Sequence, residues 1–152
     1  MRTNFRIVLR TPEQKADLEA SWARPDEEFF ASGTCHVLAA AFLESRSQLG
    51  FHALMLQPGP GFRGSHLVVA NDHAIFDARG FSSRDEFLHS YSEAMRRLLP
   101  GWSYTLTRVD DPIGWEFCNA HAHRHPSQFL QDPLPRARAF LSHFSLQPQA
   151  LV

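Results

Sequence analysis

The chain has 152 residues, of which 43% are hydrophobic and 20% charged, and this matches the size and composition of one globular domain. Its formal net charge of −1 creates no overall positive field, so we expect neither a nucleic-acid partner nor attraction to a membrane surface. No apolar run approaches the roughly 20 residues that a transmembrane helix needs. The two cysteines, Cys35 and Cys118, are too few for a disulfide framework and favour a reducing, cytoplasmic location.

The N-terminal part of the chain predicts a short strand followed by a helix. The strand is expected from Phe5 to Leu9. A capping box then predicts the helix start, because Thr11 suits the N-cap, Pro12 the first helical position and Gln14 the third. We expect this helix to run to about Trp22.

Two interruptions separate this helix from the next one. Pro25 and the acidic run at 26–28 are expected to break the helix, and Ser32–Thr34 is expected to form a second break. Cys35 to Ser45 then predicts a buried helix, because its apolar residues share one stripe at helical spacing. The residues of that stripe are Val37, Leu38, Ala41 and Phe42.

The middle of the chain predicts three short strands. Phe51 to Leu56 and Ser65 to Ala70 are apolar and of strand length. His73 to Ala78 is expected to return after a tight turn at Asn71–Asp72, since both turn residues tolerate a positive φ. Alternating prolines and glycines predict a loop at Pro58–Gly61.

The last third of the chain predicts a helix, a strand and another helix. Ser82 or Ser83 is expected to cap an amphipathic helix with one apolar and one charged face. A strand is expected from Trp102 to Val109, and a final helix from Pro133 to Phe144. Helices followed by a run of strands and further helices favour an α+β fold, and we interpret residues 1–152 as a single domain.

Two side chains on the predicted hairpin give the first functional hypothesis. A two-residue turn at Asn71–Asp72 pairs Ala70 with His73, and the same register places His66 opposite Asp77. Directly opposed residues have Cβ atoms roughly 4.5–5.5 Å apart. At that distance the Asp77 carboxylate can accept a proton from one imidazole nitrogen, which orients the ring and favours its charged form.

Cys35 is the predicted nucleophile, because it opens the buried helix. The thiolate is the reactive form of cysteine, and a helix N-terminus and a nearby imidazolium both stabilise it. Amide groups of the first helical turn, including that of Cys35, are available to donate to an oxyanion. Cys35 as nucleophile, His66 as base and Asp77 as orienting group form a catalytic triad built on a thiol.

Three short segments carry a resemblance to a known superfamily: Gly33–His36 at a helix start, His66–Val69 on a strand and Phe76–Gly80 on the next strand. The Cys, His, Asp order, with His and Asp on adjacent strands, resembles the transglutaminase-like branch of the papain-like cysteine hydrolases. The segments also resemble small bacterial and phage-type proteins of unassigned activity. The resemblance covers Ser32 to Gly80 and implies a papain-like α+β fold, in which the nucleophile helix packs on a small antiparallel sheet.

The resemblance implies a reaction class as well as a fold. The expected activity is that of a cysteine hydrolase or acyl transferase that acts on a protein, a peptide or a small amide through a thioester, without a cofactor or a metal. Arg79 is a candidate for binding a substrate carboxylate through its planar guanidinium. His36 follows the nucleophile directly and is expected to be structural, or at most a substrate contact. Nothing in the sequence fixes the oligomeric state.

Two other functions stay open on the sequence alone. The stretch Glu27–Ala31 ahead of the nucleophile contains no Gln or Asn to complete an oxyanion hole, which favours a catalytically inactive fold that binds a protein or peptide. The second alternative is a small metal-binding protein. Its candidate ligands are Cys118, His121, His123 and His125, whose imidazoles would share one side of an extended strand.

Overall fold

A computed structural model of the chain describes residues 5–46 and 50–144. Within those ranges, five strands form one antiparallel sheet with helices on both faces, which confirms the predicted α+β class. The strands are β1 (His52–Pro58), β2 (His66–Ala70), β3 (Ala74–Asp77), β4 (Gly80–Ser83) and β5 (Tyr104–Val109). The helices are α1 (Pro12–Ala16), α2 (Leu18–Trp22), α3 (Asp26–Ala31), α4 (Cys35–Arg46), α5 (Arg84–Leu98), α6 (Trp115–Ala120) and α7 (Leu134–Leu141), and a 3-10 turn covers Pro126–Gln128.

The strands of the sheet follow the order β4-β3-β2-β1-β5, and every neighbouring pair is antiparallel. The first four strands are therefore successive both along the chain and across the sheet, and β5 returns after α5 to pair with β1. The strands predicted at 51–56, 65–70, 73–78 and 102–109 are confirmed as β1, β2, β3 and β5. The sequence does not predict β4, because four residues between a turn and a helix cap give no strand pattern.

The strand β2 contributes to two separate cores, because alternate residues of a strand face opposite sides of the sheet. Leu67 and Val69 face α4 and belong to the larger core. Val68 faces α5, in a second core that includes Tyr91. His66 shares the face of Val68 and stacks on Tyr91, so its imidazole lies on the α5 side of the sheet.

Helix α4 is buried because it packs on the sheet with one side and on α7 with another. The predicted apolar stripe of this helix is confirmed, since each of its four residues is at most 2% exposed. Helix α7 lies within the predicted range Pro133–Phe144, and Arg138 from it donates to both carboxylate oxygens of Glu44 at 3.0 and 3.1 Å. Within 5–46 and 50–144, no helix combines the length and the hydropathy needed to cross a bilayer.

The N-terminal segment differs from the prediction in two ways. Phe5 to Leu9 is extended but forms no strand, because its contacts are made through side chains and a carbonyl group, with Phe5 against the rings of α5 and the Arg6 carbonyl accepting from Arg79. The expected single helix to Trp22 is two helices, although the capping box at Thr11 is confirmed. Asp17 causes the break, since its backbone is extended and its carboxylate caps α2 through the amide of Glu19 at 3.0 Å.

The predicted break near Pro25 is confirmed, since α2 ends at Trp22, and the acidic run after Pro25 begins a further helix that was not predicted. Pro25 is the N-cap residue of α3, and the three acidic residues occupy its first turn. Negative side chains are favourable there, because they lie near the positive end of the helix dipole. The same helix buries Phe29 and Phe30, which lie against α4 in the larger core.

Candidate active site

A cavity of about 390 Å³ lies where the N-terminal segment, the start of α4, the start of β2 and one side of α5 meet. Cys35, His66 and Arg79 all line it. The residues that complete its wall near α6 are His121 and His123. The sequence-predicted nucleophile and base therefore open on the same space, with a volume typical of small-molecule sites.

The backbone before α4 presents Cys35 to this cavity. Gly33 has a φ of +95°, a left-handed conformation that glycine adopts without strain, and it turns the chain from α3 into α4. The Thr34 carbonyl then accepts hydrogen bonds from the amides of Val37 and Leu38 at 3.1 and 3.2 Å, so that the helix starts at Cys35. The nucleophile is only 4% exposed and is still one of the residues that line the cavity.

His66 and Asp77 form the predicted hydrogen bond. The distance between His66 Nε2 and Asp77 Oδ2 is 3.0 Å, and each residue is 3% exposed. Because Nε2 is bonded to the carboxylate, Nδ1 is the imidazole nitrogen left to serve Cys35, which lines the same cavity as His66. The arrangement of Cys35, His66 and Asp77 matches the order of groups in a triad.

The register that produces this pair differs from the predicted one. Ala70 pairs with Ile75 and not with His73, so the loop between β2 and β3 is two residues longer than predicted. The Asn71 side chain stabilises this loop by accepting hydrogen bonds from the amides of His73 and Ala74 at 2.9 and 2.8 Å. A shift of two residues keeps every side chain on its face, so His66 and Asp77 become diagonal neighbours within reach of each other.

Arg79 is the second partner of the Asp77 carboxylate. Its amide donates to Asp77 Oδ1 at 2.9 Å, and its Nη1 donates to Oδ2, the oxygen that also binds His66. Burial raises the pKa of Asp77, but the charge of Arg79 and the hydrogen bond from His66 outweigh it and hold this pKa below its usual value. Asp77 is therefore a carboxylate at neutral pH, in contact with two cationic groups.

The guanidinium of Arg79 has little freedom left for a substrate. Besides Asp77, it donates from Nη2 to the Arg6 carbonyl at 2.9 Å and lies 4.4 Å above the ring of Phe5. The predicted binding of a substrate carboxylate by Arg79 stays a prediction, and the observed contacts describe a group that anchors Asp77.

The imidazole of His66 carries a proton in this environment. Burial lowers its pKa, but hydrogen bonds to Asp77 and Cys35 and the charges of both groups outweigh burial and raise the pKa to about 9. The ring is also stacked on Tyr91 and lies 6.4 Å from the ring centroid of Phe87. Tyr91 belongs to the predicted amphipathic helix after Ser83, and nothing in the sequence pattern indicates a contact with His66, so this contact is one that sequence reasoning missed.

The surroundings of Cys35 favour its thiolate. Burial raises the pKa of the thiol, but the neighbouring imidazoles of His36 and His66 hold it well below the ordinary value. A lowered thiol pKa beside a protonated imidazole favours a thiolate–imidazolium pair, which is the activated form of a catalytic cysteine.

His36 is a second imidazole at the thiol, and the structure does not place it in the cavity. It is fully buried, and its Nε2 lies 2.7 Å from the Arg124 carbonyl, an acceptor that requires the proton on Nε2. Its Nδ1 is buried without a nitrogen or oxygen partner. Burial lowers the pKa of His36, but the Cys118 and Cys35 thiols raise it to about 9. A substrate contact through His36 finds no support, and its neighbours describe a group that stabilises the thiolate.

The predicted metal ligands do not lie along a strand. Cys118 belongs to α6 and is buried, His121 is the C-cap residue of that helix, and a left-handed Ala122 separates His121 from His123 and His125. His123 packs between the rings of Phe117 and His36, and His125 stacks on Trp115 at 3.8 Å. Across the described parts of the chain, no three His, Cys, Asp or Glu side chains are grouped to hold a metal ion.

The arrangement brings together a nucleophile, a group able to take and return a proton, and a carboxylate that orients it. Backbone amides at the start of α4 add hydrogen-bond donors next to the nucleophile. Such a set can perform acyl transfer through a covalent thioester. Comparison of the chain with protein-family models, with curated proteins and with solved structures gave no significant match.

Proposed function

We propose that this protein is a cysteine-nucleophile hydrolase or acyl transferase that acts on an amide or ester through a thioester. The observation that carries the proposal is that Cys35 and His66 line one cavity while His66 is hydrogen-bonded to the buried carboxylate of Asp77. A papain-like fold of the transglutaminase-like branch is part of the proposal. It is supported by α4, which begins at Cys35 and packs on an antiparallel sheet. Two adjacent strands of this sheet carry the other two residues, since β2 begins with His66 and β3 ends with Asp77.

The first half-reaction forms the thioester. The Cys35 sulfur attacks the carbonyl carbon of the substrate, and the π electrons of the carbonyl move onto its oxygen. The imidazolium of His66 gives its proton to the leaving nitrogen or oxygen as the bond from carbon to that atom breaks. The products are an amine or alcohol, a thioester on Cys35 and a neutral His66.

The second half-reaction regenerates the ion pair. The neutral His66 takes a proton from water, or from the acceptor amine or alcohol of a transferase, as that molecule attacks the thioester carbon. The bond between carbon and sulfur breaks, and its electron pair returns to Cys35 as the thiolate. Asp77 stays bonded to Nε2 of His66 through both steps and stabilises each imidazolium that forms.

The proposed oxyanion donors are backbone amides at the start of α4. Cys35 is the first residue of that helix, and the first amide groups of a helix have no acceptor within it. The amide of Cys35 is adjacent to its own sulfur, so a carbonyl oxygen attacked by that sulfur comes close to it. One preorganised donor of this kind is typically worth about 2.7–4 kcal/mol in a transition state.

A peptide-binding module with the same fold is the second candidate function. It is favoured by one observation, that among the described residues no Asn or Gln lines the cavity to serve as a side-chain oxyanion donor. In this alternative the cavity holds a protein or peptide segment, and Cys35 forms no acyl intermediate.

Acylation by p-nitrophenyl acetate separates these two functions. The wild type is expected to release a burst of about one p-nitrophenolate per chain and to carry the acetyl group on Cys35, as located by peptide mass spectrometry. His66→Ala is expected to slow the burst by about 100-fold or more, because the thiol of Cys35 loses the imidazolium that favours its reactive thiolate form.

The matched control for this experiment is Cys118→Ser, since Cys118 is also a buried free thiol but does not line the cavity. This variant is expected to keep the burst. A folded wild type that is not acetylated on Cys35, or is acetylated at a rate that His66→Ala leaves unchanged, overturns the enzymatic proposal and favours the binding module.

A further inference from the structure

Apart from Cys35, the charged side chains that line the cavity are positive. Four of the lining residues are arginine or lysine, and among the described residues that line it none is Asp or Glu. The four are Arg10, Lys15, Arg63 and Arg79. The overall charge of the chain is −1, so this positive lining is a local property of the cavity and not of the whole surface.

Arg10 differs from Arg79 because no carboxylate among the described residues is paired with it. Arg79 is paired with Asp77, whereas within residues 5–46 and 50–144 the half-buried Arg10 side chain has neither a hydrogen bond nor an ion pair. Its neighbours carry the same charge: burial and the nearby Arg124 lower the pKa of Arg10, and Arg10 in turn lowers that of Arg24. A half-buried guanidinium among like charges gains free energy when an anion binds to it.

The guanidinium of Arg10 lies close to the nucleophile. Its Nη1 is 2.8 Å from the position that a Cβ atom would take on Gly33, two residues before Cys35. The charge of Cys35 also acts on Arg10 and raises its pKa. An anion bound to Arg10 is therefore held next to the place where the sulfur attacks.

The cavity also has an apolar part. It is formed by α5 and the residue after it, through the side chains of Met95, Leu98 and Leu99. A ligand that fills the cavity therefore meets both positive charge and apolar side chains.

Resting on the proposed function of Cys35, we propose that the enzyme selects acyl substrates that carry a carboxylate close to the scissile carbonyl, and that Arg10 binds this carboxylate. The planar guanidinium matches a carboxylate with two parallel hydrogen bonds. Lys15 and Arg63 add positive charge at the same cavity and raise the local concentration of anionic substrate. Arg10 is thus the residue that determines specificity.

Alkylation of Cys35 by two reagents of similar size and different charge tests this inference without a known substrate. Iodoacetate carries a carboxylate next to the carbon that reacts, and iodoacetamide has a neutral amide in its place. The measured quantity is the ratio of the iodoacetate rate constant to the iodoacetamide rate constant at pH 7, followed on the Cys35 peptide by mass spectrometry. In the wild type this ratio is expected to be about 10-fold or more above that of a free cysteine peptide.

Three variants assign the preference to Arg10. Arg10→Gln is expected to lower the ratio by about 10-fold, and Arg10→Lys to restore part of it, because lysine keeps the charge but lacks the fork. Arg97→Gln is the matched control, since it removes one positive charge from the far side of α5, where Arg97 pairs with Glu93. This control is expected to leave the ratio unchanged.

If Arg10→Gln does not fold, the salt dependence of the alkylation ratio in the wild type tests the same inference. Between about 0.01 M and 1 M salt the Debye length falls from about 30 to about 3 Å, so the iodoacetate preference is expected to shrink several-fold while iodoacetamide alkylation stays constant. A ratio that matches the free peptide and is insensitive to salt and to Arg10→Gln overturns the inference. If that happens while iodoacetamide alkylation is fast and depends on His66, the proposed function stands. Slow alkylation that is independent of His66 overturns the function, and the ratio still reports on Arg10.

Discussion

The imidazole of His66 lies parallel to the phenol ring of Tyr91, with 5.1 Å between the ring centroids and 5° between the ring planes. Tyr91 comes from α5, whereas Asp77, which binds the edge of the same imidazole, comes from β3. The base is therefore fixed on its face by a helix and on its edge by the sheet. Phe5 from the N-terminal segment packs edge-on against Tyr91 at 5.9 Å and holds the phenol ring in turn.

Replacing Tyr91 is expected to loosen His66. Tyr91→Leu removes the stacked ring, so alkylation of Cys35 by iodoacetamide at pH 7 is expected to slow by about 2- to 10-fold, the range that an aromatic pair contributes. Tyr91→Phe keeps the ring and is expected to stay within about 2-fold of the wild type. Equal rates in the two variants would show that the ring does not position the base.

The pH dependence of alkylation is expected to separate wild type from His66→Ala. The pKa of Cys35 is well below its ordinary value, so the wild-type rate constant is expected to change little with pH across the range in which a free thiol, with a pKa of about 8.5, titrates. In His66→Ala the thiol loses one of its two imidazole neighbours, so the rate is expected to rise with pH across that range.

Acyl transfer is expected to have a further limit on the alkaline side. His66 loses its proton as the pH rises through about 9, and with it the acid that protonates the leaving group. Turnover of p-nitrophenyl acetate depends little on that proton because the leaving group is a good one, whereas turnover of an amide depends on it strongly. A wild-type alkylation profile that follows an ordinary thiol would contradict the ion pair.

Arg79 is expected to stabilise the folded protein by its ion pair with Asp77. Its side chain is 16% exposed, and Arg79→Gln leaves the Asp77 carboxylate buried with one cationic partner in place of two. Breaking a buried pair from one side costs about 3 kcal/mol, so the free energy of unfolding in urea is expected to fall by about that amount. Arg97→Gln breaks an exposed pair within one helix and is expected to cost less than about 0.5 kcal/mol. Equal losses in both variants would contradict this role for Arg79.

Any side chain at position 33 is expected to displace the guanidinium of Arg10. Gly33→Ala and Gly61→Ala both place alanine at a positive φ, +95° and +82°, and each is expected to lose about 1–2 kcal/mol of stability. A methyl group on Gly33 would also meet the Arg10 guanidinium, whereas nothing lies within 4 Å at Gly61. The iodoacetate preference is therefore expected to fall in Gly33→Ala alone, and a fall of equal size in Gly61→Ala would contradict this.

His36 is expected to affect the thiol but not the proton transfer to substrate. His36→Gln keeps a donor for the Arg124 carbonyl and removes the second imidazole from Cys35. The pH midpoint of alkylation is expected to rise, while the rate above that midpoint stays near the wild-type value. A large loss at high pH, comparable to that of His66→Ala, would contradict a role limited to the thiolate.

The sequence predicts those parts of the fold that local chemistry determines. The capping box at Thr11, the apolar stripe of α4 and the cap at Ser83 depend on residues within one or two turns, and all three are found in the structure. The sequence does not predict the break at Asp17 or the helix after Pro25. An aspartate or a proline is equally compatible with the start of a helix and with a break in one.

Sequence-based prediction of the candidate site is limited in the same way, because contacts between distant segments leave no local pattern. Cys35, His66 and Asp77 come together as predicted, and the register error of two residues is harmless since it preserves the face of each side chain. Sequence patterns do not predict the roles of Arg10 and Tyr91. Their roles depend on packing between segments far apart in the chain, which no spacing within one element reveals.

The nucleophile and its base belong to opposite sides of the sheet. Cys35 is the first residue of α4 and belongs to the larger core, and His66 stacks on α5 on the other side, so the two side chains come together only when both cores are packed against the same strands. A newly synthesised chain in which either core is unformed is expected to carry an ordinary thiol that forms no thioester. Reactivity of Cys35 is consequently expected to report the completion of folding.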